Sequence, residues 1–178
     1  MNNRNDTNIL FYILFSVVGF GIGGAIGGAI WVALDAPHIG FAVLGVIGGA
    51  SLGMALRDWK RIWILALIGG IGFDIGLLVG FFVPMVLLGP ANNQSFFVGT
   101  LGGAIGGASI GIALKSWKKT GVLSLAAAIG FTIAAWLTWD TLRGFTPQIL
   151  GGAISLAIWG IIGGAFLGLA LGLLERKH

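Results

Sequence analysis

Gly48-Gly49-Ala50-Ser51-Leu52-Gly53-Met54-Ala55-Leu56-Arg57-Asp58-Trp59-Lys60 decides the reading of this chain. It returns 58 residues later as Gly106-Gly107-Ala108-Ser109-Ile110-Gly111-Ile112-Ala113-Leu114-Lys115-Ser116-Trp117-Lys118. Glycines and aliphatic residues fill the first part, and a basic turn with a tryptophan closes it. That is the pattern of a helix leaving lipid and turning back, because tryptophan and basic residues collect at the membrane rim. Working outward, Gly45–Gly76 matches Gly103–Ala134 with 17 identities in 32 positions. Gly160–Leu171 matches Gly45–Leu56 at nine of twelve positions. A second element also recurs: Gly19-Phe20-Gly21-Ile22, Gly72-Phe73-Asp74-Ile75 and Gly130-Phe131-Thr132-Ile133.

The remaining sequence fits the same frame. Six apolar runs cover most of the 178 residues: Ile9–Leu34, Ile39–Leu56, Ile62–Leu88, Phe96–Leu114, Gly121–Trp139 and Ile149–Leu174. About 20 apolar residues cross a bilayer core of about 30 Å as helix. Hydrophobic residues make up 57% of the chain and charged residues 9%, too few to cover a water-facing surface. A barrel requires alternation of apolar and polar residues, and runs such as Phe11-Tyr12-Ile13-Leu14-Phe15 do not alternate. Ile9–Leu34 exceeds the apolar core of a cleaved signal and reads as a retained span. The absence of cysteine excludes disulfides and thiol chemistry.

Two crossings per unit return the chain to the same side, so the copies are parallel rather than inverted. The expected fold is an all-α membrane protein with six transmembrane helices in one transmembrane domain. They would form three parallel-repeat helical hairpins, about 9–57, 62–115 and 120–174, with pseudo-threefold symmetry about the membrane normal. Arg4, Arg57, Lys60, Arg61, Lys115, Lys118, Lys119, Arg176 and Lys177 fall on one side, and Arg143 on the other. Short basic loops face the cytoplasm, which places both termini there and the chain in an inner or plasma membrane. The pI near 10.0 then reports topology and attraction to anionic headgroups, not nucleic acid.

The glycines recur every four residues and so share helix faces. The stripes are Gly45, Gly49 and Gly53; Gly103, Gly107 and Gly111; and Gly160, Gly164 and Gly168. Bare faces let helix backbones approach closely in lipid, or dock another subunit or a second copy. Gly-x-Gly patterns such as Gly21-Ile22-Gly23 lie inside apolar runs, where a phosphate loop has no place. Trp59, Trp63 and Trp117 flank the basic turns, and Trp31, Trp136 and Trp139 lie near the opposite boundary.

Asp74 stands out as an acid well inside an apolar run, where its repeat counterparts are Gly21 and Thr132. It is the candidate proton or cation site, with Thr132, Ser51 and Ser109 as further candidate site residues that could offer ligand contacts. The alternative is a neutral acid hydrogen-bonded within the bundle, the serines bonding back to carbonyls of their own helix. Asp35, His38, Asp140 and Arg143 gather at the non-cytoplasmic ends as a solvated rim rather than a metal site. No nucleophile has an identifiable base, so no catalytic residue, metal or cofactor is assigned and no enzyme is expected. Two functional readings follow. One is a glycine-packed accessory or structural subunit of a membrane assembly. The other is a transporter or channel for a small solute or ion that uses Asp74.

Overall fold

The computed structural model describes residues 3–89, 94–139 and 148–176, and their regular structure is all helical. Helix α1 spans Asn3–Leu34, α2 Pro37–Ala55 and α3 Trp59–Leu88. Helix α4 is one rod in three parts: Gln94–Phe97, a π-helical turn Val98–Gly102, and Gly103–Ala113. Helix α5 spans Trp117–Trp139 and α6 Gln148–Glu175. Five of these six rods are long and apolar enough to cross a bilayer, and the apolar part of α4, Val98–Ala113, is shorter. The chain is a multi-pass membrane protein.

The basic turns owe their brevity to one local device used twice. Arg57 and Lys115 both adopt the left-handed conformation, at φ 54°. Each donates its amide to the carbonyl three residues back, Met54 and Ile112, which ends the helix. The next residue caps the next helix. Asp58 accepts from the amides of Lys60 and Arg61, and Ser116 from that of Lys119. Helix α5 therefore begins at Trp117, ahead of the apolar run at Gly121, because a capped first turn tolerates Lys118 and Lys119. At the opposite end Asp35 takes φ 51°, and Pro37 opens α2 at a position that needs no amide hydrogen.

Packing follows the bare faces. A β-carbon placed on Gly49 would lie 2.1 Å from the Leu65 carbonyl oxygen, and one on Gly53 2.5 Å from the Ile62 Cα, so α2 lies on α3. A β-carbon on Gly107 would collide with the Leu123 carbonyl and one on Gly111 with the Thr120 Cα, so α4 lies on α5. A β-carbon on Gly160 would collide with the Phe20 carbonyl and one on Gly168 with the Tyr12 carbonyl, so α6 lies on α1. The last helix thereby docks on the first, with Gly24 and Gly28 answering from α1 against Leu156 and Gly152. The packing-glycine stripes are all spent on contacts within the chain.

Bulky aliphatic residues point the other way. On α1, Leu10, Leu14, Val18, Ile22 and Ile26 recur every four residues and are exposed. On α5, Leu125, Ile129, Ile133 and Trp136 are exposed. Lipid solvates these side chains as well as a protein core would, so association is left to close packing of small residues. The rim aromatics Trp59, Trp63, Trp117 and Trp136 are exposed as expected, and the side chain of Trp139 lies outside the described residues.

These contacts set opposite signs for two alanine substitutions. Gly160→Ala drives a methyl into the Phe20 carbonyl and is expected to lower stability by about 2 kcal/mol or more. Gly121→Ala meets nothing within 4 Å and is expected to raise stability by up to about 1 kcal/mol. Thermal unfolding of both variants in the same detergent reads the difference.

Candidate functional site

The repeated Gly-Phe element builds the centre of the molecule. Phe20 of α1, Phe73 of α3 and Phe131 of α5 are buried and meet one another there. Their ring centroids are 5.7, 6.4 and 5.1 Å apart, around the triangle Phe20–Phe73, Phe20–Phe131 and Phe73–Phe131. Each ring also lies on a glycine of the following helix: Phe20 on Gly48, Phe73 on Gly106, Phe131 on Gly163. Only a residue without a side chain leaves room for a phenyl face there. The three buried rings fill the bundle centre.

Asp74 follows Phe73 and occupies the midpoint of α3. Its Oδ1 is buried with no hydrogen-bond partner. A carboxyl oxygen in that position forgoes the hydrogen bonds of water with nothing in return. The repeat explains why. At the counterpart position, the Thr132 hydroxyl lies 2.7 Å from that of Thr100 across the α4–α5 seam. It also donates to the Ala128 carbonyl. The residue 58 before Thr100 is Ala42, whose methyl group offers no such bond. The Ala42 carbonyl lies beside Gly70, one helical turn from Asp74.

The hydroxyls of the further candidate site residues are engaged elsewhere. Ser51 donates to the Gly48 carbonyl and Ser109 to the Gly106 carbonyl, each at 2.7 Å. These bonds close back on their own helices and let the serines seat against Gly19 and Gly72. Ser51, Ser109 and Thr132 are thus packing residues of three different seams, and no hydrogen bond joins any of them to Asp74. Thr100 is the hydroxyl that Thr132 meets. The π-turn that carries it is a deviation that periodicity does not reveal.

Above the phenyl rings, toward the end opposite the basic turns, lies a cavity of about 320 Å³. Trp31, Phe41, Leu77, Phe81 and Trp159 supply aromatic and aliphatic walls, and His38 and Ser155 are the polar groups. Such a size, apolar lining and sparse polar complement describe a small-molecule pocket. Trp159 packs edge-on against Phe41 at 5.7 Å and donates its indole N–H to the Thr138 hydroxyl at 2.7 Å. The bond satisfies two buried polar groups and fixes the wall. Leu77 and Leu78, which follow Asp74 by three and four residues on one helix face, line the same cavity. His38, placed on the sequence rim, is therefore a wall residue as well. Asp140 and Arg143 lie outside the described residues, and no cluster of metal ligands occurs among those described.

Comparison with known proteins adds one partial likeness. Over 75 residues, 42% of this chain, the sequence is 33% identical to the Na(+)/H(+) antiporter NhaA 2 of Erythrobacter litoralis (strain HTCC2594). That stretch is 18% of the antiporter, so the chain spans a minor part of the curated relative it matches. No family model and no solved structure matches the chain.

The unpartnered Oδ1 has a thermodynamic signature. An ionisable side chain at the helix centre costs about 2.5–3.5 kcal/mol on insertion scales. Asp74→Leu is therefore expected to raise thermal stability in detergent, by about 2 kcal/mol. A loss of stability on this substitution would reveal a partner that holds the acid in place.

Proposed function

We propose that this protein is a carrier for a small solute, with Asp74 as its protonation site and the aromatic cavity as its opening on the side away from the basic turns. The observation that carries this reading is the buried, unpartnered Oδ1 of Asp74 at the centre of the membrane span. Groups of this kind are costly in lipid and mark ion and proton pathways. A proton suits the site better than a bare metal cation. Hard cations take several oxygen ligands, and no second side-chain oxygen among the described residues bonds to Asp74.

The arrangement also favours a carrier over an open channel. The three phenyl rings occupy the centre, so a solute from the cavity passes only when the seams shift. In this reading the three hairpins are related by a pseudo-threefold axis along the membrane normal. The α2–α3, α4–α5 and α6–α1 contacts support it by using corresponding glycines. Six spans with both termini in the cytoplasm of an inner or plasma membrane complete the proposal, with no enzymatic step. The partial likeness to a protein named as a Na(+)/H(+) antiporter lends it limited support. The accessory-subunit reading rested on bare glycine faces, and those faces are spent within the chain.

Proteoliposomes loaded with a pH-sensitive dye test the proposal. After an imposed pH step, with sodium or potassium outside, the wild-type chain is expected to move protons faster than empty liposomes. Asp74→Asn is expected to abolish the difference, and Asp74→Glu to retain part of it. Wild-type vesicles no faster than empty ones, or an Asp74→Asn variant as fast as wild type, would overturn it. Stoichiometric copurification of another membrane protein alongside absent flux would establish the subunit reading instead.

A further inference from the structure

The third Gly-Phe seam departs from the other two. At α1–α2 a β-carbon on Gly19 would lie 2.0 Å from the Ser51 hydroxyl, and at α3–α4 one on Gly72 would lie 2.0 Å from that of Ser109. At α5–α6 the serine is replaced by Phe166, whose Cβ stands 3.0 Å from the corresponding point on Gly130. A phenyl ring where the other seams carry a hydroxymethyl group occupies the space between helices. Beside it, on the cytoplasmic half of this seam, lies an open groove of about 660 Å³.

The groove has two parts of different chemistry. From α5 it takes Lys118, Val122, Leu125 and Ile129, and from α6 Phe166, Leu169, Leu173 and Arg176. Each set follows three- and four-residue spacing, so each is one helix face with its basic residue at the membrane-surface end. From Arg176 to Phe166 the groove runs about 15 Å at 1.5 Å per residue, half the apolar core and so one leaflet deep. Lys118 has no hydrogen bond or ion pair among the described residues. The acid at this corner, Glu175, is already engaged by Lys119. Lys118 and Arg176 thus stand at the groove mouth above an apolar slot.

We propose that this groove is a binding site for an anionic phospholipid of the cytoplasmic leaflet. Its phosphate lies at Lys118 and Arg176, and one acyl chain lies along the α5–α6 slot down to Phe166. Basic pockets between membrane helices on the cytoplasmic side recognise anionic headgroups in this way. The site is separate from Asp74 and stands whether or not the chain transports a solute.

Native mass spectrometry of the delipidated full-length chain in detergent tests the site, using phosphatidylglycerol and phosphatidylcholine of matched chains. The wild type is expected to hold one phosphatidylglycerol in preference to phosphatidylcholine. Lys118→Gln with Arg176→Gln is expected to weaken phosphatidylglycerol about tenfold and leave phosphatidylcholine unchanged. Leu125→Trp, which fills the slot, is expected to weaken both lipids, with helicity by circular dichroism confirming the fold. Lys60→Gln, at the other basic turn, is expected to change neither. Equal binding of the two lipids by wild type would overturn the proposal. So would an unchanged preference in the double variant, or a loss in Lys60→Gln as large as in the double variant. Binding of glycerol phosphate as tight as that of the lipid would also contradict it, since the slot would then contribute nothing.

Discussion

Contact between helix backbones with no side chain between them is the constraint on which this structure depends. Lipid removes the usual reason for apolar side chains to cluster, because hydrocarbon solvates leucine as well as another leucine does. What remains is close packing, and it is strongest where Cα meets carbonyl. Gly49 against Leu65, Gly107 against Leu123 and Gly164 against Ser16 are three instances at corresponding repeat positions. The third joins the last helix to the first and so closes the bundle. A chain whose ends lacked that seam would be an open row of helices, with no enclosed centre and no cavity.

Closure gives the central position its character. Three phenylalanines from alternate helices converge, each backed by a glycine, and fill the space that a ring of helices would otherwise leave open. Shape is therefore supplied by few large groups against many absent ones. Against such a background a polar side chain is either bonded locally or conspicuous. Ser16, Ser51, Ser109 and Thr138 bond to carbonyls of their own helices, and Ser124 reaches the Ala104 carbonyl across a seam. Asp74 finds no partner for Oδ1. That contrast, rather than the mere presence of an acid, supports a functional role for it.

Much of the architecture was legible because membrane helices announce themselves by length and composition. The repeated Trp-Lys turn gave the hairpin ends, and the four-residue glycine spacing marked the faces that meet. Asp74 was visible as an interruption of the Gly-Phe-x-Ile element. Other features depend on which residues meet across a seam, and one sequence does not display that. The pairing of Thr132 with Thr100 needed the register of α4 on α5, which a π-turn alters. For Ser51, Ser109 and Thr132 depth in the membrane was readable but rotation about the helix axis was not, and each bonds to a carbonyl of its own helix. The cavity escaped because Trp31, Phe41, Phe81 and Trp159 come from four helices whose ends gather only in three dimensions.

Helix α6 packs on α1 as tightly as neighbouring helices in the chain pack on each other. Ile9 and Gly172 measure it at the end that carries the basic turns, where a β-carbon on Gly172 would lie 3.5 Å from the Cβ of Ile9. That separation is within the range a disulfide spans, and the chain has no cysteine of its own to interfere. The double variant Ile9→Cys, Gly172→Cys, oxidised in native membranes, should convert to an internally cross-linked monomer that a reductant restores. Failure of this pair to cross-link in a protein that remains folded and helical would contradict a bundle closed between its first and last helices.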